Sequence, residues 1–243
     1  MYLSACILVI GLGLSPSAAA AGEGSPLPAD RPLQVGFLAV DGVYNSELMA
    51  PYDIFHHTVF HTKPGMEVFV VSPDGGAVTS FEGLTIEAHH SFEDAPPIDV
   101  LVVPSAKHSM DSDLENEELI AWVRSVGSEA RFVVSLCDGA FVLAKAGLLD
   151  DTVSTTFPGD IDRYEKTFPH LDVRRDVSFV HDGQALTSQG GAKSYDVAMY
   201  LVARLYGDEV AVGVGRGLII GWPPAVGVMP RLIVAGGVET AVP

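Results

Sequence analysis

Runs of apolar residues alternate with amphipathic segments along most of the chain, and this alternation indicates a fold class. Four runs are continuously apolar, as buried parallel strands are when helices cover both faces of a sheet. They are Leu33 to Val40, Val68 to Val71, Ile98 to Pro104 and Phe132 to Leu136. Helical spacing is found at Leu48 to Phe60, Asp113 to Ser128, Gly139 to Gly147 and Gly191 to Tyr206. The pattern predicts an α/β domain whose mostly parallel sheet lies between two layers of helices.

Turn residues predict smaller elements between these segments. Val78 to Ala88, interrupted at Glu82-Gly83, is typical of a small hairpin, and the Asp182-Gly183 pair predicts a second one. Pro51 is expected in the first turn of its helix, where a proline is tolerated. The region after Trp222 is rich in Pro, Gly and Val. It yields no assignment, so residues 223–243 are treated as a C-terminal tail.

Residues 1–21 have the pattern of an export signal. Leu3 to Leu14 is almost wholly apolar, and small residues up to Ala20 and Ala21 offer a cleavage site. The apolar run is too short to span a bilayer comfortably. Met1-Tyr2 lacks the positive charge that such signals carry, so an unprocessed cytoplasmic protein is the alternative. We therefore expect a signal peptide over 1–21, a linker over 22–32, and a secreted or periplasmic protein without a stable membrane span.

The charge balance narrows the choice of partners. The net charge is -17, from 31 acidic and 14 basic residues, and the densest basic cluster is Arg174-Arg175. Such a field repels phosphate backbones, so we expect a small-molecule substrate or ligand and no nucleic acid. His57 and His61 are one helical turn apart, but no third ligand is near them in sequence. A helix surface is therefore favoured over a metal site, and no metal or other cofactor is predicted.

Cys137 is the strongest candidate for chemistry. It directly follows the fourth apolar run and precedes a helix that begins at Gly139. Ligands of open α/β sheets bind beyond the carboxyl ends of the strands, and a residue on a strand-to-helix turn projects there. The N-terminus of the next helix would favour a thiolate. A free cysteine can also be a small core residue, but the position at the end of the strand favours a functional thiol.

Glu47 lies in the loop after the first apolar run. It is therefore expected to face the same ligand crevice as Cys137, beyond the carboxyl ends of the strands. A carboxyl beside a thiol can accept its proton or donate a hydrogen bond to the thiolate. An acidic residue near a helix start is also common without any catalytic role. The pairing of Glu47 with Cys137 is what gives the position weight.

The segments around these two residues resemble the ThiJ/PfpI family of the class I glutamine amidotransferase-like superfamily, which includes the Parkinsonism-associated deglycase and isonitrile hydratase. The elbow segment from Ser135 to Leu149 is the most specific. Further matching segments are Glu47 to Phe55, Thr155-Thr156 and Asp182 to Gly191. The resemblance covers about residues 33–222, which we treat as one domain. It implies a flavodoxin-like three-layer sandwich with a nucleophile elbow, and a homodimer, which this family often forms.

The resemblance also implies roles for individual residues. Cys137 takes the place of the nucleophile, and Glu47, four residues before Pro51, takes the place of its acidic partner. Phe157 stands where relatives often have a histidine, and Ser105-Ala106 replaces a pair of glycines that shapes an oxyanion hole. Apart from the resemblance, the backbone amides of Ser105 and Ala106 are candidates for binding an oxyanion, and His108, which follows the third apolar run, is a candidate to reach the crevice. Thr156 is a further candidate for substrate binding, and Asp138 is an extra catalytic acid.

Two functions remain open at this point. The first is an exported cysteine-dependent enzyme that hydrates or hydrolyses a small electrophilic substrate, or performs glyoxal-type chemistry. Cys137 would attack and Glu47 would move the proton. A Cys-His-acid triad is not evident, so a glutamine amidotransferase is not expected, and the arrangement resembles isonitrile hydratase. The second is a non-enzymatic ligand-binding or redox-sensing module on the same fold, because fold alone does not decide function.

Overall fold

The computed structural model describes residues 26–224, 231–235 and 238–242, so the predicted signal peptide lies outside the described residues. The strands are β1 (Leu33–Leu38), β2 (Met66–Val71), β3 (Val78–Thr79), β4 (Thr85–Ile86), β5 (Val100–Val103), β6 (Phe132–Leu136), β7 (Val153–Ser154), β8 (Asp172–Val173), β9 (Phe179–Asp182), β10 (Ala185–Ser188), β11 (Arg231–Ala235) and β12 (Val238–Val242). The α-helices are α1 (Asn45–His57), α2 (Ser112–Glu115), α3 (Glu117–Glu129), α4 (Gly139–Lys145), α5 (Ile161–Thr167), α6 (Ser194–Tyr206) and α7 (Asp208–Leu218). A 3-10 turn, Thr58–Phe60, extends α1.

Five parallel strands form one side of the main sheet, in the spatial order β2-β1-β5-β6-β10 with β2 at the edge. Counted along the chain these are the first to fifth strands of the parallel set, so the order is the 2-1-3-4-5 order of flavodoxin-like sheets. The predicted fold class is therefore confirmed. The predicted hairpin around Gly183 is also present, because β9 pairs antiparallel with β10.

Side chains alternate between the two faces of the sheet, and each face is covered by helices. Val100 and Val102 of β5 belong to the core layer that contains α1, α6 and α7. Leu101 and Val103 belong to the opposite layer, which contains α3, α4 and α5. Successive residues of a strand point to opposite faces, so a strand that is apolar throughout must be covered on both. The structure is the three-layer sandwich that the apolar runs predict.

The helix after Cys137 is fixed by aromatic packing. Phe141 of α4 is fully buried, and its ring centroid lies 4.9 Å from that of Tyr164 and 6.0 Å from that of Phe168. Burial of a phenylalanine side chain contributes about 1.5–3 kcal/mol. Since α4 begins two residues after Cys137, this packing holds the turn that presents the thiol.

Three expectations about elements are wrong in detail. Pro51 lies well inside α1, because this helix begins at Asn45, and its missing N–H cannot donate to the carbonyl of Glu47. The single helix expected over 113–128 is two helices, because the Asn116 side chain accepts a hydrogen bond from the Leu119 amide at 3.1 Å and begins α3. The region treated as a tail contributes two strands, of which β11 pairs parallel with β9.

Part of the predicted linker is attached to the domain. Arg31 forms two hydrogen bonds with the Asp99 carboxylate, at 2.6 and 2.9 Å, and an Arg131 guanidinium nitrogen donates to the Pro26 carbonyl at 2.8 Å. Residues 26–32 therefore lie against the amino ends of β1 and β6, at the end of the sheet opposite Cys137. Among the residues that the structure describes, no helix is long and apolar enough to cross a membrane.

Candidate functional site

Cys137 occupies a strained turn between β6 and α4. Its φ is +53°, in the left-handed region that costs a residue with a Cβ about 1–2 kcal/mol. The Cys137 amide donates to the Ser188 carbonyl of β10 at 2.9 Å, which fixes this conformation. A Cβ at Gly139 would overlap the Val103 carbonyl oxygen, so only glycine lets α4 approach the end of β5. The turn has the geometry of a nucleophile elbow, as the sequence predicts.

The Glu47 carboxyl bridges the two loops that flank Cys137. Its Oε2 accepts a hydrogen bond from the Ser105 amide at 3.0 Å, and its Oε1 accepts one from the Gly191 amide at 3.3 Å. Ser105 follows β5 and Gly191 follows β10, and these strands lie on either side of β6. The carboxyl therefore spans the end of the strand that carries Cys137. Glu47 is only 4% exposed and Cys137 8%, so both groups are removed from bulk water.

Burial among acidic groups sets the protonation of the site. Burial raises the pKa of Glu47 to about 7, although hydrogen bonds from the Ser105 and Gly191 amides oppose the rise. Burial and the nearby carboxyls of Glu47 and Asp138 also raise the pKa of the Cys137 thiol. The expectation that the helix N-terminus favours a thiolate is therefore wrong for this resting site. A neutral thiol lies beside a carboxyl that titrates near neutral pH.

Asp138 is a second buried acid at the elbow. Its Oδ2 lies 3.7 Å from the Cys137 sulfur, and its Oδ1 accepts a hydrogen bond from the Thr156 hydroxyl at 3.2 Å. The same hydroxyl lies 2.9 Å from the Cys137 carbonyl oxygen and, having one proton, serves one acceptor at a time. Burial and the charge of Asp160 raise the pKa of Asp138 to about 6, while Arg163 opposes the rise. Thr156 therefore contacts the elbow directly.

The loop after β5 is drawn into the site through its backbone. The Ser105 amide is engaged by Glu47, and the Ala106 amide donates to the buried Ser109 hydroxyl at 2.8 Å. The Asp138 amide acts on the Cys137 thiol and lowers its pKa. An oxyanion could be held by the Ser105 or Ala106 amide only if the substrate oxygen replaced one of these internal acceptors. Their role in oxyanion binding therefore stays a prediction.

His108 and Phe157 occupy the periphery. The His108 Nδ1 lies 3.2 Å from the Asp111 carboxylate, and about half of the His108 side chain is exposed. His108 also lines an open cavity of about 340 Å³ that Phe81 and Lys107 share. Phe157 is 45% exposed. Neither residue shows a hydrogen bond to the Cys137–Glu47 pair.

Three residues of the site escaped the sequence analysis. Tyr44 is the N-cap residue directly before α1, and burial together with the nearby Cys137, Glu47 and Asp138 raises the pKa of its phenol. A Cβ at Gly190, where φ is +77°, would lie 2.7 Å from the Cys137 amide nitrogen. Gly191 supplies the amide that Glu47 accepts. The Gly190-Gly191 pair after a strand was a visible signal for close backbone approach, whereas Tyr44 gave none.

The histidines considered for metal binding lie at the end of α1 and directly after the 3-10 turn that extends it. The His57 and His61 rings are 5.5 Å apart and face α7 at Gly217 and Gly213. In the described ranges, no group of three or more His, Cys, Asp or Glu side chains has the arrangement of a metal site.

Comparisons with known proteins agree with this geometry. The DJ-1/PfpI family profile matches residues 34–204. The chain is 34% identical over 179 residues to isonitrile hydratase from Pseudomonas putida, which covers 74% of this chain and 75% of that one. It is 30% identical over 129 residues to a deglycase from Pyrococcus horikoshii, 52% of this chain and 74% of the deglycase.

Transcriptional regulators are also similar. The HTH-type regulator CdhR from Pseudomonas aeruginosa is 30% identical over 152 residues, which is 63% of this chain but 44% of the regulator. The structure of DJ-1β from Drosophila melanogaster superposes with a TM-score of 0.67 and 21% identity, over 79% of this chain and all of that one. That likeness shows the fold. The matches as a whole place the chain in the DJ-1/PfpI family.

Proposed function

We propose that this protein is a cysteine-dependent hydratase that converts an isonitrile to an N-substituted formamide. The DJ-1/PfpI fold with its elbow cysteine supports a cysteine-type enzyme. Isonitrile hydratase from Pseudomonas putida, 34% identical over three quarters of both chains, supports this particular reaction. The observation that carries the proposal is the Glu47 carboxyl, which is buried, bridges the loops around Cys137 and titrates near pH 7.

The reaction adds one molecule of water to the isonitrile carbon in three steps. The protonated Glu47 carboxyl donates a proton to the terminal carbon of R–N≡C, and the Cys137 sulfur bonds to that carbon as its own proton passes to the Glu47 carboxylate. The product is a thioimidate, R–N=CH–S–Cys137. Water then adds to the same carbon as the nitrogen gains a proton, giving R–NH–CH(OH)–S–Cys137. Cleavage of the carbon–sulfur bond releases R–NH–CHO and restores the thiol.

The charges of the site suit these reaction steps. Protonation of an isonitrile carbon develops positive charge on the H–C≡N–R unit. The carboxyls of Glu47 and Asp138 lie near the Cys137 thiol, and burial and the charge of Asp160 in turn raise the pKa of Asp138. Carboxylates stabilise a developing cation and disfavour a developing oxyanion, so the reaction fits the site without an oxyanion hole in its first step. The internal hydrogen bonds of the Ser105 and Ala106 amides are compatible with that step.

A second candidate is a ligand-binding or redox-sensing module. The similarity to transcriptional regulators such as CdhR favours it. The raised pKa of the Cys137 thiol favours ligand binding over redox sensing, because cysteines that sense oxidants react as thiolates. The chain spans 44% of CdhR, so the activity of the whole regulator does not carry over. On this alternative, the crevice binds a small molecule without turning it over.

The test is formamide production from benzyl isonitrile by the full chain, followed by chromatography and mass spectrometry. We expect turnover by the wild type, no turnover by Cys137→Ser, and a thioimidate adduct on Cys137 when the reaction is quenched early. A wild-type protein that binds the isonitrile without forming formamide would contradict the hydratase proposal and support the binding module.

Export and dimerisation are further parts of the proposal. The apolar run from Leu3 to Leu14, followed by small residues up to Ala21, supports processing after Ala20 or Ala21. N-terminal sequencing of the protein from fractionated cells tests this part, and a mature protein that still begins at Met1 would contradict it. Sedimentation measurement of the molecular mass tests the homodimer.

A further inference from the structure

Tyr44 is fixed beside the reacting groups but has no part in the reaction proposed above. Its carbonyl accepts hydrogen bonds from the amides of Glu47 at 3.2 Å and Leu48 at 3.1 Å, and its own amide donates to the Ser105 carbonyl at 3.1 Å. The Tyr44 backbone is therefore hydrogen-bonded both to the helix that carries Glu47 and to the loop whose Ser105 amide binds Glu47. The phenol lies within electrostatic reach of Cys137.

Phe81 covers the outer side of this tyrosine. The two ring centroids are 4.5 Å apart and the planes are inclined by 27°, which is a stacked pair. Phe81 lies in the turn between β3 and β4, and this hairpin is fastened to the loop before Tyr44. The Phe81 amide donates to the Val43 carbonyl at 2.9 Å, and the Gly42 amide donates to the Thr79 carbonyl at 2.7 Å. The position of the Phe81 ring is thus set by backbone hydrogen bonds.

The stacked pair presents aromatic surface beside the loop that carries Ser105. Phe81 is 52% exposed although one side of its ring packs on Tyr44. A single exposed aromatic side chain is ordinary on a protein surface. This one differs because it is held against a ring that is anchored to the Glu47 and Ser105 backbone. Phe157 follows Thr156, which contacts the elbow, and it provides a second exposed aromatic ring near Thr156.

We propose that Tyr44 and Phe81 form a specificity-determining wall of the Cys137 crevice, and that the preferred substrates are isonitriles with a flat aromatic group. This inference rests on the proposed function and names its substrate class. Aromatic rings attract one another in offset and edge-to-face arrangements beyond simple area burial, which corresponds to a preference of about twofold to tenfold over a saturated ring of similar size. The buried thiol and acid select the reactive carbon, and the wall selects the group attached to it.

The first measurement compares kcat/KM for benzyl isonitrile and cyclohexylmethyl isonitrile, which share the reactive CH2–NC group. We expect the wild type to favour the benzyl compound about twofold to tenfold. Phe81→Leu should bring the ratio close to one, whereas Phe81→Tyr, which keeps the ring, should retain it. Phe60→Leu is the matched control, because Phe60 is 68% exposed and lies at the far end of α1 from Glu47. It should leave the ratio unchanged.

The second measurement does not depend on hydration. Cys137 of the full chain is alkylated with N-benzylmaleimide or N-(cyclohexylmethyl)maleimide, and peptide mass spectrometry follows Cys137 separately from Cys6. We expect the benzyl reagent to react faster with the wild type and with Phe81→Tyr, and the difference to vanish in Phe81→Leu. Selective alkylation without isonitrile turnover would mean that the hydratase proposal fails and the wall stands.

Two results would overturn the wall. One is an alkylation ratio near one in the wild type, or a ratio that Phe81→Leu leaves unchanged, whatever the turnover. The other is a change in molecular mass in solution for Phe81→Leu with both ratios intact, because the pair would then belong to a contact between subunits.

Discussion

Glu47 and Ser105 are 58 residues apart in sequence, and the Ser105 amide donates to the Glu47 carboxyl at 3.0 Å. The second oxygen of the same carboxyl accepts from Gly191, 144 residues away. One side chain therefore ties together the ends of β1, β5 and β10, and Cys137 at the end of β6 lies among them. A group in this position is both a structural tie and a proton carrier that interacts with the thiol.

Glu47→Gln is expected to lower both stability and activity. An amide side chain has one acceptor oxygen and one NH2 group, so one of the two backbone amides would face a donor. A buried donor without an acceptor costs about 1–3 kcal/mol, and loss of a positioned proton carrier lowers kcat/KM about 100- to 10,000-fold. Urea denaturation and isonitrile turnover measure the two effects.

The matched control for that substitution is Glu87→Gln. Glu87 is exposed, so the same change of charge should leave stability and kcat/KM near the wild-type values. An equal loss in both variants would mean that net charge, and not the bridge between loops, explains the result.

Stability should fall as the pH rises from about 4.5 to about 7. In that window the folded protein keeps a proton on Glu47, whose pKa is about 7, while the unfolded chain, with a carboxyl of ordinary pKa 4.5, has released it. The folded state then binds more protons, so raising the pH favours unfolding. Asp138, raised from 3.8 to about 6, adds a contribution of the same sign at lower pH. Urea midpoints at half-unit pH intervals measure the slope.

Variants assign the slope to its groups. Glu47→Gln should flatten the upper part of the profile, and Asp138→Asn the lower part. For catalysis, a protonated Glu47 predicts that kcat/KM declines above about pH 7. A wild-type profile that Glu47→Gln reproduces would show that another group titrates there.

Gly190→Ala should destabilise the fold more than Gly183→Ala. Both glycines have positive φ, +77° and +57°, so both substitutions incur the left-handed cost of about 1–2 kcal/mol. A Cβ at Gly190 would also lie 2.7 Å from the Cys137 amide nitrogen, whereas one at Gly183 meets no atom within 4 Å. The extra overlap should add about 1–3 kcal/mol. Equal unfolding free energies for the two variants would contradict the close approach of Gly190 to the elbow.

Cys137→Gly is expected to be more stable than Cys137→Ala by about 1 kcal/mol, because glycine adopts a φ of +53° without steric cost. The same pair of substitutions at Ser135, inside β6, should show the opposite order, since glycine weakens a strand. Thermal and urea unfolding of the four variants decide the matter. Alanine more stable than glycine at both positions would argue against strain at the nucleophile.

The sequence was sufficient for the parts of this protein that local patterns govern. Continuously apolar runs identified β1, β2, β5 and β6 as strands covered on both faces, and the run ending at Leu136 placed Cys137 on the elbow. Glu47 was found because an acid after the first strand must open onto the same edge of a parallel sheet. β11 and β12 were not identified as strands, and the sequence analysis assigned them to a tail.

The tertiary structure decided the hydrogen-bond partners and the protonation states of the groups in the site. The helix N-terminus at Cys137 suggested a thiolate, but burial beside Glu47 and Asp138 raises the pKa of the thiol. The amides of Ser105 and Ala106 have acceptors of their own, and Tyr44 joins the site through its stack with Phe81. A sequence specifies which groups follow which strand. Their pKa values and partners depend on burial and on contacts between residues far apart along the chain, which exist only once the layers have packed.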